Sequence, residues 1–95
     1  MAVLRRVTEP LLDVLEVLVM ATSENREVHG YEIMRLTKRL GPTVYGVLDK
    51  LEEMGWIEGR CEQRNLAYPG KPPRQFYRLT PEGLLDGKQL LNVRR

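Results

Sequence analysis

Cysteine and histidine each occur only once in this 95-residue sequence, and both scarcities exclude kinds of site. The lone cysteine, Cys61, cannot form an internal disulfide, which excludes disulfide-rich secreted domains and favours an intracellular, cytoplasmic protein. Because it has no resolving cysteine, we interpret it as a strand residue and not as a redox sensor. The lone histidine, His29, has no second ligand candidate, so we expect a helix cap or a buried hydrogen bond and no metal.

Long apolar runs and catalytic constellations are also missing. The most apolar stretch, Val14–Ala21, contains Glu16 and is far too short to cross a bilayer. No secretory leader is seen either, so we expect no membrane partner. The sequence has no glycine loop for phosphates and no nucleophile–base pair at suggestive spacing. We therefore expect a protein that is not an enzyme and that uses no cofactor.

Positive charge is present, and it is concentrated in the second half of the chain. Residues 1–34 hold three basic and six acidic side chains, whereas residues 35–78 hold nine basic and five acidic ones. The whole chain carries a formal charge of only +2, so the total conceals this asymmetry. Such a distribution is typical of one basic face, and phosphate backbones are its commonest partner.

The first predicted helix covers residues 9–22. Its apolar side chains form more than the single stripe that a surface helix needs, and a domain this small gains from a partner subunit. We therefore assign Leu11, Leu15 and Leu18 to the interface of a homodimer. A terminal helix packed over the surplus apolar surface is the alternative.

Residues 29–54 are predicted to form a helix-turn-helix. The second helix runs to about Leu40 and directs Ile33, Leu36 and Leu40 inward. The third helix begins at about Pro42, which is suited to a first helical turn. The tight connection and the small polar residues that follow it indicate a recognition helix.

Residues 56–79 are predicted to form a β-hairpin that serves as a wing. Alternating residues favour a strand at each end, and the Pro and Gly residues between them favour a long tip. Trp56 and Phe76 are interpreted as core residues. The hairpin is rich in arginine and lysine, as a wing that contacts DNA would be.

A last helix is predicted over residues 81–92, and we assign its Leu84 and Leu91 to the same subunit interface. The predicted fold class is therefore mainly α with a small β-hairpin. Residues 1–95 are expected to form a single winged helix-turn-helix domain.

Three blocks of sequence resemble the PadR family of transcriptional regulators. HGYEI at residues 29–33 is similar to the family's opening of the second helix. TVY at residues 43–45, with Leu48, LE and GWI after it, resembles the recognition helix and the start of the wing. PPRQFYRLTPEG at residues 72–83 resembles the second wing strand and the start of the last helix. The resemblance extends over about residues 10–88.

This resemblance implies a winged helix-turn-helix homodimer, usually a repressor, bound to double-stranded DNA at a two-fold related operator. Carried over by position, Thr43 and Tyr45 meet DNA at the start of the recognition helix, with Lys50 close by and Arg74 in the wing. The sequence departs from the family at Gly46, where proline is common. Residues 81–95 contain no aromatic of the kind that some small members use to hold flat drugs, so that ligand mode is not expected, and the sequence specifies no other effector.

The chemistry of the residues favours the same site. Thr43 and Tyr45 can donate hydrogen bonds to phosphates or base edges, although Tyr45 alternatively packs on the second helix. Lys50 suits a phosphate, or alternatively pairs with Asp49 or Glu53. The other basic candidates are Arg64, Lys71 and Arg74 near the wing tip, and Arg35 and Lys38 on the second helix, where a solvated face is the alternative.

Two other functions remain open at the level of sequence. A winged-helix domain can be a protein–protein adaptor that never touches DNA, because fold alone does not decide function. It can also be a DNA-architectural or recombination-directionality factor that bends DNA and binds in arrays. The basic wing favours the DNA-binding regulator over the adaptor.

Overall fold

The computed structural model describes residues 6–61 and 75–95. Within these ranges the chain forms four helices and three short strands. In chain order they are α1 (Glu9–Ser23), β1 (Val28–His29), α2 (Gly30–Thr37), α3 (Gly41–Glu53), β2 (Ile57–Cys61), β3 (Gln75–Leu79) and α4 (Pro81–Arg94). α1 is the central element, since α2, α3, α4 and β3 all pack against it.

Three of the helices begin at a side chain that caps a backbone N–H. Thr8 accepts a hydrogen bond from the backbone N–H of Leu11 at the start of α1. The Nδ1 atom of His29 accepts one from Glu32 at the start of α2, which confirms the predicted cap. Thr80 caps α4 in the same way. Local sequence therefore determines where these helices begin.

The sheet is antiparallel and has the order β1–β3–β2. β1 was not predicted, because two residues are too short to show an alternating pattern. It exists because Val28 pairs with Tyr77 of the wing, while Ile57 of β2 pairs with Leu79 on the other side of β3. The pairing ties the segment before α2 to the base of the wing.

The core lies between α1 and the remaining elements, and it includes Trp56 as predicted. Leu11, Leu15 and Leu18 are almost completely buried within the single chain. This corrects their assignment to a subunit interface, because side chains already covered by their own chain are not available to a partner. The alternative, a terminal helix packed over α1, is what the structure has. Leu84 and Leu91 of that helix are half-buried at the edge of the core.

α2 is shorter than predicted, and this changes the position of its apolar residues. The helix ends at Thr37, and Lys38 adopts a left-handed backbone conformation with φ of 58°. The helical period therefore does not reach Leu40, which is 77% exposed, and Leu36 is also exposed. Only Ile33 of the predicted inward stripe is buried.

Phe76 lies on the outer side of the sheet, which corrects its assignment to the core. Tyr77 and Leu79 are the buried residues of β3, and side chains alternate along a strand, so Phe76 faces the opposite way. The Arg60 guanidinium carbon lies 5.1 Å from the centre of its ring, and His29 meets the ring edge-on at 5.8 Å. Phe76 thus stabilises the outer side of the sheet, between β1 and β2.

One junction joins the end of α3, the start of β2 and the start of α4. The Thr80 hydroxyl donates to the Gly55 carbonyl at 2.7 Å, and the Thr80 backbone N–H donates to the Trp56 carbonyl at 2.9 Å. Gly55 has φ of 75°, a conformation that glycine adopts without strain. Gly83 packs directly on Trp56: a Cβ there would lie 2.6 Å from the Trp56 carbonyl carbon. α4 can take this position only because residue 83 lacks a side chain.

Ion pairs hold the other end of α4 against α1. Arg95 pairs with Glu9, Asp13 and Glu16 on one side of α1, and Arg39 pairs with Asp13 at 2.7 Å. The hydrogen bond from Arg95 holds the pKa of Asp13 below its ordinary value; burial opposes this shift and Arg39 adds to it. One carboxylate on α1 is thus shared by the segment after α2 and the end of α4.

The described elements form a mainly helical winged helix-turn-helix domain with a three-stranded antiparallel sheet, so the predicted fold class is confirmed. Within the described ranges, no helix has both the length and the apolar content needed to cross a membrane.

We expect Gly83→Ala to destabilise the protein by at least about 2 kcal/mol, because the new methyl group overlaps backbone atoms that cannot move aside. In a domain of this size the loss lowers Tm by roughly 10 °C. Gly46→Ala is the matched control: a Cβ at Gly46 meets no atom within 4 Å, so it should stabilise α3 by up to about 1 kcal/mol. Thermal unfolding followed by circular dichroism measures both, and equal effects of the two variants would contradict the close approach at Gly83.

We expect Asp13 to contribute to stability only above the pKa of its folded-state carboxyl. Because that pKa is lowered, the contribution is present at neutral pH and is lost as the pH falls below about 4 and through the folded-state pKa. Asp13→Asn should therefore reduce the free energy of unfolding at pH 7 by about 1 kcal/mol or less and should flatten its decline in acid. Urea unfolding between pH 3 and pH 7 tests this. Glu53→Gln removes an exposed carboxylate without an ion pair in the described residues, and it should leave the free energy of unfolding at pH 7 nearly unchanged.

Candidate nucleic-acid interface

α3 has one side in the core and the opposite side in solvent. Its buried residues are Val44, Leu48 and Leu51. Its exposed side includes Pro42, Thr43, Gly46, Asp49, Lys50 and Glu53. The first half of this surface is uncharged and the second half is mixed. An exposed helix of this kind, preceded by a short turn and a second helix, has the arrangement of a recognition helix.

The N-terminus of α3 differs from those of the other helices. Its N-cap residue is Leu40, which provides no side-chain hydrogen bond, whereas α1, α2 and α4 are capped by side chains. Pro42 has no N–H, and the Val44 N–H bonds to the Leu40 carbonyl. No group in residues 6–61 and 75–95 accepts a hydrogen bond from the backbone N–H groups of Gly41 and Thr43. The positive end of a helix dipole favours an anionic acceptor.

Tyr45 packs on α2 with one side of its ring. The space where Gly30 would carry a Cβ is occupied by this ring, whose Cζ would lie 2.7 Å from it. Even so, the side chain of Tyr45 is 43% exposed. The sequence left packing and DNA contact as alternatives, and the geometry provides the packing while leaving part of the ring accessible. Gly30 of the HGYEI block is therefore needed to make room for the ring of Tyr45 of the TVY block.

The flank of α3 that carries Tyr45 and Glu52 faces the sheet. A Cβ at Gly59 would meet both Glu52 and Tyr77 at 3.3 Å. Burial raises the pKa of Tyr77, and the charges of Tyr45, Glu52 and the more outward Asp49 raise it further. α3 thus packs against both α2 and the wing strands.

Three of the predicted contact residues are uncompensated cations. Arg35, Lys38 and Lys50 are exposed, and none forms an ion pair with any described residue, so Lys50 is not neutralised by Asp49 or Glu53. Other arginines are paired with carboxylates: Arg26, Arg39, Arg60, Arg78 and Arg95. Charge on α2 and α3 is therefore available to a partner.

Tyr31 is a further exposed side chain, which the sequence pattern did not assign to the site. It is 67% exposed in the first turn of α2. Tyr31 and Arg35 lie one turn apart on the same face of α2, whereas Lys38 follows the end of the helix in a left-handed conformation. The i, i+4 spacing of Tyr31 and Arg35 is the signal from which an exposed tyrosine could have been predicted.

The base of the wing is anchored, whereas its predicted contact residues lie outside the described ranges. Arg60 of β2 forms a two-pronged salt bridge with Glu27, with a shortest distance of 2.6 Å. Its hydrogen bonds lower the pKa of the Glu27 carboxyl, against an opposing effect of burial. The predicted wing residues Arg64, Lys71 and Arg74 all fall within residues 62–74, outside the described ranges.

The fold is shared with solved structures of low sequence identity. A putative DNA-binding protein from Ralstonia eutropha superposes with a TM-score of 0.72 and is 24% identical, over 90% of this chain and 98% of that one. AF1382 from Archaeoglobus fulgidus gives a TM-score of 0.71 at 20% identity, over 92% and 86% of the two chains. The Staphylococcus aureus MepR protein, in a structure of its DNA complex, gives 0.69 at 20% identity, over 92% of this chain and 64% of MepR.

The sequence comparisons differ in outcome. No curated protein matches the chain significantly. The profile of the Transcriptional regulator PadR-like family, however, matches residues 17–88, which include the second half of α1, all of α2 and α3, both wing strands and the first half of α4. This confirms the resemblance seen in the three sequence blocks, and the chain belongs to the PadR-like family of transcriptional regulators.

Proposed function

We propose that this protein is a sequence-specific, double-stranded DNA-binding regulator that acts in the cytoplasm as a homodimeric repressor. Its α3 enters the major groove, and its wing contacts the neighbouring backbone. The family to which the chain belongs supports DNA binding, as does the DNA complex of the structurally similar MepR. In this proposal the protein catalyses no reaction.

The observation that carries the proposal is the uncompensated positive charge beside an uncapped helix start. Arg35, Lys38 and Lys50 have no ion pair in the described part of the chain, and the start of α3 presents free backbone N–H groups. Phosphate oxygens satisfy both kinds of group, and such contacts fix the register of a protein on a duplex. Thr43 adds a hydroxyl at the same helix start.

The wing supplies further contacts in this proposal. Arg64, Lys71 and Arg74 lie in the sequence between β2 and β3, and the base of this hairpin is anchored by the Arg60–Glu27 salt bridge. Arginines on a wing tip can enter a minor groove or bind a phosphate. In a two-fold symmetric dimer, the two recognition helices read half-sites about 34 Å apart, one turn of the duplex.

We expect loss of the α2 and α3 cations to reduce the salt dependence of DNA binding. Duplexes are first selected from a random pool by the full chain, and affinity is then measured by fluorescence anisotropy between 50 and 200 mM salt. Each lost phosphate contact lowers the slope of log affinity against log salt by about one, so Lys50→Ala and Lys38→Ala should each do so. Both variants should also weaken binding to random duplexes.

Arg94→Ala is the matched control, because Arg94 is an exposed cation on α4 that forms no ion pair within the described residues and does not line the groove between α1 and α4. It should leave the slope unchanged. An equal decrease for Arg94→Ala and Lys50→Ala would mean that only net charge matters and would contradict the proposed surface. Failure of the unaltered chain to bind any duplex in dilute buffer would exclude the DNA-binding function.

The proposed dimer uses the groove between α1 and α4. This groove has a volume of about 580 Å³ and is lined by Val19 of α1 and by Leu85 and Leu91 of α4, among other residues. Leu85 is 62% exposed, and Met20, next to Val19, is exposed as well. A second copy that packs here would cover apolar surface that the single chain leaves in water. This replaces the buried leucines of α1 as the proposed contact and keeps Leu91.

We expect Leu85→Glu to shift the protein from dimer to monomer, because it places a charge in the apolar part of the proposed interface. Light scattering after size exclusion measures the mass at micromolar concentrations. Leu40→Glu makes the same chemical change at an exposed leucine in the turn before α3, and it should leave the dimer intact. A monomeric unaltered chain would exclude the dimer without excluding DNA binding.

A further inference from the structure

We infer that Asp49 selects a cytosine in the major groove, an inference that rests on the proposed DNA-binding function and extends it to base specificity. Asp49 would accept a hydrogen bond from the exocyclic amino group of that base. Nothing in the family resemblance assigned it a role, and it is acidic on a surface otherwise suited to phosphates.

The buried residues of α3 determine which of its residues face away from the core. Val44, Leu48 and Leu51 define the inward side. At 3.6 residues per turn, the line opposite to them passes through Pro42, Gly46, Asp49 and Glu53, with Thr43 and Lys50 on one flank. Tyr45 lies on the other flank, where its ring packs on Gly30. The outermost line of the helix, and not the tyrosine, is directed toward the floor of a groove.

The side chains along this outward line differ in whether they can form a hydrogen bond with a base. Pro42 and Gly46 have no polar side-chain atom, so Asp49 is the first residue of the line that can form a side-chain hydrogen bond with a base. Glu53, the next acidic residue on this line, is the last residue of α3, about 6 Å further than Asp49 from the N-terminus of the helix. Asp49 is therefore nearer than Glu53 to the N-terminal part, from which a recognition helix contacts bases.

The space outside Gly46 is open. A Cβ there would meet no atom within 4 Å, so packing within the described chain does not require glycine at this helix-interior position. Glycine nevertheless weakens a helix relative to alanine. Its effect is to remove the outermost side chain one turn before Asp49, which lets the helix axis approach the bases. A side chain as short as aspartate needs that approach in order to reach a base edge.

The Asp49 carboxylate is available as a hydrogen-bond acceptor. Asp49 is exposed and makes no hydrogen bond or ion pair within the described residues. A carboxylate accepts hydrogen bonds and donates none, so in the major groove it requires an amino group. Cytosine presents its N4 amino group at the edge of the pair, whereas the N6 amino group of adenine lies between two acceptors, adenine N7 and thymine O4. Those acceptors repel a carboxylate, and cytosine is therefore the preferred base.

The test compares the duplexes selected from a random pool by the unaltered full chain and by Asp49→Ala, Asp49→Asn and Glu53→Ala. We expect the unaltered chain to select a cytosine at one position of each half-site, and Asp49→Ala to lose that preference alone. Its affinity for the selected duplex should fall roughly 5- to 150-fold, the range for one specific base contact. Asp49→Asn should change the preference at that position to adenine, because an amide both donates and accepts.

Glu53→Ala is the matched control, since it removes the same charge from the same line of α3. It should raise affinity for random duplexes as much as Asp49→Ala does, without changing the selected sequence. Gly46→Ala should raise Tm and yet lower affinity for the selected duplex by about 10-fold, because its methyl group holds α3 away from the bases. A new adenine preference in Asp49→Asn cannot arise from misfolding.

The outcomes separate this inference from the proposed function. If Asp49→Ala and Asp49→Asn select the same sequence as the unaltered chain, the inference is wrong and DNA binding stands. A change of preference that occurs equally in Glu53→Ala would also overturn it. If the unaltered chain enriches no sequence and binds no duplex, the DNA-binding function is wrong, and the base contact fails with it.

Discussion

The contact between the start of α4 and the end of α3 is the constraint on which the rest of the structure depends. A single threonine, Thr80, hydrogen-bonds to the carbonyls of Gly55 and Trp56 and caps α4. Gly83 lets α4 pack directly on the Trp56 backbone. Because this junction joins the recognition-helix candidate, the wing and the terminal helix, it fixes the angle at which α3 and the wing strands leave the core. A surface for a duplex needs both elements on one side, and their relative placement is decided at their common base.

Charge on the molecule is divided between scaffold and surface. Arg39, Arg60 and Arg95 neutralise carboxylates on other elements and thereby connect α1, the segment before α2 and the wing. Lys50 and Lys38 have no such partner among the described residues and belong to the elements that would meet DNA. Each exposed ion pair contributes little stability. These pairs also neutralise positive charge on the parts of the surface outside α2 and α3. A formal charge of +2 is therefore compatible with a locally basic surface.

Much of the fold could be predicted from local patterns, because caps and helical periods act within a few residues. Thr8 and His29 mark helix starts that the structure has, and the order of helices and wing strands follows from the same signals. β1 could not be predicted, since a two-residue strand exists only through its pairing with β3. Leu40 was misplaced because a left-handed residue at position 38 ended α2 early, and no rule of composition required that conformation. The candidate site follows the same division: Lys50 was predicted from its charge, whereas Asp49 was inferred only from its position on the outward line of α3.

Sequence by itself determined the order of helices and wing strands, the basic bias of the second half and the family, because these depend on residue type and spacing along the chain. Only the tertiary structure decided which apolar residues stay exposed on the single chain. Leu11, Leu15 and Leu18 have the pattern of an interface, but the elements packed on α1 bury them, and Gly87 lets α4 approach Leu15 closely. Burial is a property of two surfaces that meet, and a hydrophobic period describes only one of them.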